Sequence, residues 1–238
     1  MSGVALTLAR TLARGTSSRA RVLGFVGVAV VQLLVSFLVR SETGGTELDT
    51  AMTMIDGFGL TLIVPLSALV FGTAVLGDPI EDGTYVYLWL RPIRRSLITF
   101  AAFGVTLGLV AALAVVPTVL SAAITSSDGA VVSGAAAGAV AAAVAYSAIF
   151  VLIGQLTRRS LVWGIAYLLI FEQFIARGGR GVGFVSVHSH AISIMQEVSS
   201  VKLRLGYFSA TTSVVVIVVV TLATLGFSVL RQNAMTVE

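Results

Sequence analysis

Few residues in this chain carry side chains able to do chemistry, and their placement narrows what that chemistry is. One carboxylate, Glu172, stands inside the apolar run Leu168-Leu-Ile-Phe-Glu-Gln-Phe174. A carboxylate within a membrane segment costs roughly 2.5–3.5 kcal/mol on insertion, so its retention needs a reason. Two are open: an anchoring contact near the outer end of its helix, with headgroups or Arg177, or a contact to a transported substrate or ion. Gln32 and Gln155, also within apolar runs, suit hydrogen bonds between membrane helices or contact with substrate. His188 and His190 form a His-x-His pair, but two ligands without a nearby Cys or carboxylate make a poor metal site. Val187, Ala191, Ile194, Met195 and Val198 mark out an amphipathic helix there, in which the histidines are incidental. Glu42, Glu47 and Asp49 read as a solvated loop. The chain's single lysine, Lys202, lies in Ser-Ser-Val-Lys-Leu-Arg. That segment lacks the Gly-x-x-x-x-Gly-Lys-Ser/Thr pattern that cradles phosphates, so a P-loop ATPase site is excluded on this chain. No Ser-His-Asp spacing points to nucleophilic catalysis. The absence of cysteine removes disulfides, thiol nucleophiles and thiolate metal sites.

The elements that must position these groups are long and greasy. Of 238 residues, 57% are apolar and only 11% are charged, against about 25% charged in soluble domains. The shortfall is concentrated in uncharged runs long enough to cross a hydrocarbon core of about 30 Å. Backbone groups in lipid must be satisfied within such runs, which leaves helices or a closed barrel. The run of residues 214–220, Val-Val-Val-Ile-Val-Val-Val, has no alternation of polarity and rules out barrel strands. The expected fold is an all-α integral membrane protein with six transmembrane helices in one domain. The spans are 22–39, 57–76, 97–124, 130–156, 161–176 and 208–230, with prolines Pro65 and Pro117 expected to kink the second and third. Residues 3–20 read as an amphipathic helix lying at the interface, with Val4, Leu8 and Leu12 on one face and Arg10 and Arg14 on another. The first apolar run has no cleavage site close behind it and is expected to be retained rather than removed as a signal peptide. Gly134-Ala-Ala-Ala-Gly138 has the small-xxx-small spacing of close helix packing.

The formal charge of +4 does not point to nucleic acid, because the basic residues flank the spans. With six spans, one side receives Arg10, Arg14, Arg19, Arg21, Arg91, Arg94, Arg95, Arg158, Arg159 and Arg231. The other receives Arg40, Arg177, Arg180, Lys202 and Arg204. The bias places both termini in the cytoplasm of a plasma-membrane protein. Should 161–176 dip into the bilayer without crossing, residues 177–207 become cytoplasmic and the bias grows; that alternative stays open.

The densest charge lies in residues 77–96, Gly-Asp-Pro-Ile-Glu-Asp-Gly-Thr-Tyr-Val-Tyr-Leu-Trp-Leu-Arg-Pro-Ile-Arg-Arg-Ser. Asp82 or Thr84 is a good N-cap, with Glu81 and Asp82 at the positive end of the helix dipole. Two turns then place Tyr85, Leu88 and Trp89 on one face, and Arg91-Pro92 stops them. Arg94 and Arg95 mark the return into the membrane. Such a helix lies flat on lipid or projects apolar side chains into a partner's groove.

An acidic group, Gly-Thr, a short Leu- and aromatic-rich helix and Arg-Pro-x-x-Arg resemble the ABC-2 class of ABC transporter permeases. The interfacial start, the six-span plan and the aromatic-glutamate stretch at 168–174 resemble that family too. The resemblance implies a permease subunit, working as an exporter, that performs no ATP hydrolysis itself. It implies a coupling segment comprising Glu81, Asp82, Gly83, Thr84, Tyr85, Leu88, Trp89, Arg91, Pro92, Arg94 and Arg95, and an external segment at 177–207. Arg158 and Arg159 belong to the second cytoplasmic loop. Implied partners are two ABC ATPase subunits carrying ATP and Mg, a second permease copy or a similar chain, and membrane lipids. No cofactor is expected on this chain. A secondary transporter and a non-transporting scaffold or immunity protein are the alternatives. The first needs midplane ionisable groups and usually inverted repeats, where the sequence offers one carboxylate and no repeat.

Overall fold

The computed structural model describes residues 2–86, 90, 94–175, 178–203 and 206–234. Among them there is no strand. The helices are α1 (Ser2–Thr16), α2 (Arg19–Thr43), α3 (Leu48–Glu81), α4 (Arg95–Thr125), α5 (Gly129–Leu156), α6 (Ser160–Ile175), α7 (Arg180–Gly183), α8 (Val187–Ser199) and α9 (Ala210–Ala234). Five of them, α2, α3, α4, α5 and α9, are long and apolar enough to cross a membrane, and α6 is a shorter apolar helix. This is an all-α, membrane-embedded protein.

Local chemistry sets the helix ends. Ser18 caps α2 by accepting from Arg21 N, which separates α1 from α2 at Ser17–Ser18 rather than at residue 20. Gly44 ends α2 in the left-handed region, its N–H donating to Arg40 O. Asp128 caps α5 through Ala130 N at 2.8 Å. Pro65 and Pro117 lie just beyond π-helical stretches, 55–63 and 111–115 respectively. A proline ring clashes with the carbonyl four residues earlier, and a widened turn relieves that clash while the helix continues.

The bundle is built around α3 and α5. In its most apolar stretch α3 is 78% buried, whereas α2 is 17% buried. Apolar burial alone drives little association between helices in lipid, so close approach and polar contacts matter more. A Cβ on Gly72 would come within 2.7 Å of Phe150 Cβ, and one on Gly154 within 2.8 Å of Thr73 O. These glycines let α3 and α5 touch backbone to backbone. The Gly134/Gly138 pair seats α8: a Cβ at either would lie 2.7 Å from Met195 O or 2.9 Å from Ala191 O, respectively. The outward faces of α2 and α9 expose Leu34, Phe37, Leu38, Val215, Val219 and Leu222, a surface suited to lipid tails.

Two boundaries differ from expectation. Helix α3 begins at Leu48, not 57, because Ala51, Met52 and Ile55 are buried against the bundle and hold the polar stretch helical. It ends at Glu81 rather than 76, and passes through Pro79. Asp56 therefore lies inside a helix, as does Asp49, which had read as part of a solvated loop.

Candidate functional site

Two groups of polar residues stand out, one at each end of α3. At its C-terminal end, Asp82 is the C-cap residue of α3, and Gly83 follows with φ of +68°. The left-handed region costs non-glycine residues about 1 kcal/mol or more, which explains Gly at this position. Glu81, Asp82, Gly83 and Thr84 are exposed, with the Thr84 hydroxyl donating to Pro79 O at 3.4 Å. Tyr85 turns the other way. It is buried with Leu8, Leu12, Val75, Leu76 and Ile98, so it packs the bundle rather than facing a partner. Burial pushes its phenol above the ordinary range, and the nearby Arg95 guanidinium opposes that shift. Leu88, Trp89, Arg91 and Pro92 lie outside the described residues.

Around this turn the other chain segments gather. Arg21 Nη1 pairs with Asp78 Oδ2 at 2.8 Å, tying the start of α2 to the end of α3. Arg95 donates to Gln232 O at 2.8 Å and Asn233 O at 3.0 Å, satisfying carbonyls at the C-terminus of α9. Arg94 is exposed. Arg158 and Arg159 are exposed on the turn between α5 and α6, whose Ser160 lies against Gly77. A cavity of about 620 Å³ separates α1 from the end of α3, lined by Leu8, Leu12, Val75, Asp78, Asp82 and Thr84 among others. One end of the molecule thus collects an exposed acidic turn and most of the described arginines.

At the opposite end, Glu172 forms a buried joint. Its side chain is buried, and four donors converge on it. Tyr167 Oη (2.8 Å) and Val187 N (3.1 Å) donate to Oε1; Ser186 Oγ (2.6 Å) and His188 N (3.4 Å) donate to Oε2. Val187 and His188 open α8, so the carboxylate from α6 takes two backbone N–H groups that the helix cannot satisfy internally. Ser186 Oγ accepts a third, from Ser189 N at 3.2 Å. The positive end of a helix dipole and charge-assisted hydrogen bonds together make a buried carboxylate tolerable here. Residues five apart on an α-helix diverge by about 140°, five steps of about 100°. The π-helical turn of 167–175 brings Tyr167 and Glu172 toward one face. With each oxygen accepting two hydrogen bonds and the residue buried, the geometry makes Glu172 an anchor for α8.

Next to this joint, His188 Nε2 lies 3.3 Å from Asp56 Oδ1 and 3.4 Å from Thr61 Oγ1, and Gln173 Nε2 donates to Thr61 O at 3.2 Å. His190 sits with Nε2 2.8 Å from Phe184 O and Nδ1 3.1 Å from Ser213 Oγ on α9. Neither histidine is incidental: both are buried and hydrogen-bonded, while Val198, assigned to the apolar face, is exposed. Among the described residues no group of three or more His, Asp or Glu side chains is arranged to hold a metal. Gln32 Nε2 donates to Thr118 Oγ1 at 3.4 Å, linking α2 to α4 beside a Ser36–Ser121 bond of 2.6 Å. Gln155 donates to Ser228, whose hydroxyl reaches Thr99 at 3.4 Å, so α5, α9 and α4 are stitched together. Ser186 as a helix N-cap was legible in the sequence; Asp56, Thr61 and Tyr167 as partners were not, since nothing local signals them.

Fold and joints together define the class: a multi-helix membrane protein whose polar groups are spent largely on holding helices to one another. No family model, no curated protein and no solved structure matches the chain.

Proposed function

We propose that this chain is the permease subunit of an ATP-driven transporter of the ABC-2 class, working as an exporter in the plasma membrane with both termini cytoplasmic. It pairs with a second copy or a similar chain, and two separate ATPase subunits bind ATP and Mg. The observation that carries this reading is mechanical. The exposed turn Glu81–Thr84 continues directly from α3, the most buried long helix, and α3 is locked to α5 by glycine contacts at Gly72, Gly77 and Gly154. Force applied at that turn reaches the centre of the bundle without passing through a flexible linker. Partner closure at residues 81–95 would tilt α3 and move α5 with it.

Supporting this, Arg94, Arg95, Arg158, Arg159, Arg21 and the C-terminus of α9 share the end of the molecule where the turn lies, as cytoplasmic positive charge requires. The six-span count rests on α6. It starts beside Gly77 at that end and reaches the Glu172 joint with α8 at the other, so its sixteen residues connect the two ends. The α1 helix, which buries Leu8 and Leu12 against α3 and α4 while exposing Arg10 and Arg14, fits the interfacial helix of this plan.

The test is co-purification. Full-length protein from native membranes should bring down a P-loop ATPase, and Gly83→Pro should abolish recovery, since proline fixes φ near −65° where this turn needs a positive value. Trp89→Asp should do the same while leaving the bundle folded. An intact bundle that brings down no ATPase refutes the proposal.

A further inference from the structure

We propose that the slot between α1 and the end of α3 holds one membrane lipid with a primary-amine headgroup, of the phosphatidylethanolamine type. Its volume of about 620 Å³ falls within the range of small-molecule sites. Leu8 and Leu12 of α1 and Ala74 and Val75 of α3 give it apolar walls. Gly3 and Gly15 keep it wide, since a Cβ on either would meet nothing within 4 Å. On α3 the apolar run stops at Leu76, and Asp78 and Asp82 stand one turn apart just beyond it. From Ala74 to Asp82 is eight residues, about 12 Å along the helix. Over that distance the lining changes from hydrocarbon-like to charged, as a lipid does between its chains and its headgroup.

The headgroup follows from the hydrogen-bonding capacity that the lining has left. Thr7, Thr11 and Thr16 donate their hydroxyl protons to Gly3 O, Thr7 O and Leu12 O at 2.8–2.9 Å, and Thr84 donates to Pro79 O at 3.4 Å. The other polar side chains among the described lining residues are Asp78 and Asp82, which are acceptors only. A slot whose side chains offer acceptors and carboxylates, with no free donor, suits a cation that carries N–H groups, and it repels an anionic headgroup. Asp78 is already paired with Arg21 at 2.8 Å, whereas Asp82 is exposed, so the ammonium falls to Asp82. Arg21 Nη1 also lies 3.4 Å from Thr16 O, which sets the guanidinium at the rim, with 32% of its side chain exposed, as counter-charge for the lipid phosphate. Choline carries the same charge as ethanolamine without an N–H to donate, and glycerol carries no cation, so the two neighbouring lipid classes each lack one of the features the slot selects.

The experiment titrates the full-length protein in detergent with phosphatidylethanolamine, phosphatidylcholine or phosphatidylglycerol of identical acyl chains and counts bound lipid by native mass spectrometry. The first phosphatidylethanolamine should bind about fivefold more tightly than the first molecule of either other lipid, the upper end for an exposed charge pair. Asp82→Asn should reduce it to the phosphatidylcholine level. Gly15→Leu fills the slot from α1 and should also remove the preference, while leucine favours the helix more than glycine does. Equal binding of the three lipids by the unaltered chain, tighter binding of phosphatidylglycerol, or a preference that survives either substitution overturns the proposal. Should Asp82→Asn fail to fold, Gly15→Leu decides by itself. The chain is purified alone, so the result is independent of whether an ATPase docks on the neighbouring turn.

Discussion

Replacing Glu172 with Gln tests the joint that the structure places at its centre. The two side chains have nearly the same shape, so packing is unchanged, but one acceptor oxygen becomes an amide that donates. Whichever orientation the amide takes, its NH2 then faces one hydroxyl, which can turn to accept, and one backbone N–H, which cannot: either Tyr167 Oη and Val187 N, or Ser186 Oγ and His188 N. Hydrogen bonds to a charged acceptor are worth about 1.5–3 kcal/mol each. The interaction with the helix dipole adds about 0.3–1 kcal/mol. Part of this is returned because a neutral amide is cheaper to bury than a carboxylate. A net weakening of α8 docking of about 3 kcal/mol results, on the order of a hundredfold in its opening equilibrium. Amide exchange of 187–199 should accelerate by that factor, while residues 64–76 of α3, buried elsewhere in the core, stay protected. Glu172→Gln with unchanged protection of α8 refutes the anchoring account. Loss of transport with α8 still protected would move Glu172 from anchor to substrate contact.

Gly138→Val should also release α8, by a steric route. Its Cβ would meet Ala191 O at 2.9 Å and Met195 Cβ at 3.0 Å, and overpacking of this kind costs about 1–3 kcal/mol; a fall in thermal midpoint smaller than that of Gly104→Val, whose Cβ meets nothing within 4 Å, would refute it. Topology is readable because the chain has no native cysteine. Val185→Cys, at a site 63% exposed, should react with an impermeant thiol reagent added to intact cells; labelling only after lysis defeats the six-span arrangement.

How much of this was legible before folding differs from residue to residue. Residues 210–234 announce themselves by composition alone, because a lipid-facing helix needs nothing but apolar side chains and internal backbone bonds. The same holds for α2, α4 and α5, whose ends fall within a few residues of where apolarity stops. Gly134 and Gly138 signalled a close helix contact, yet their partner, α8, read only as an amphipathic helix in the external segment 177–207 with its histidines incidental. Its burial depends on acceptors supplied from elsewhere: Glu172, fourteen residues before Ser186, and Ser213, twenty-three after His190.

The amino-acid order by itself determined the solvent this protein lives in, its helical character and the approximate reach of most of its long helices. Those properties follow from transfer free energies and backbone satisfaction, which are local. Only the tertiary structure decided which polar groups are joints. Asp56 came to lie 3.3 Å from His188 because burial of Ala51, Met52 and Ile55 kept its stretch helical, and Tyr85 turned inward because Leu8 and Leu12 of α1 were there to receive it. A buried polar side chain takes its meaning from the partner that satisfies it, and that partner is chosen by packing between segments far apart in the chain.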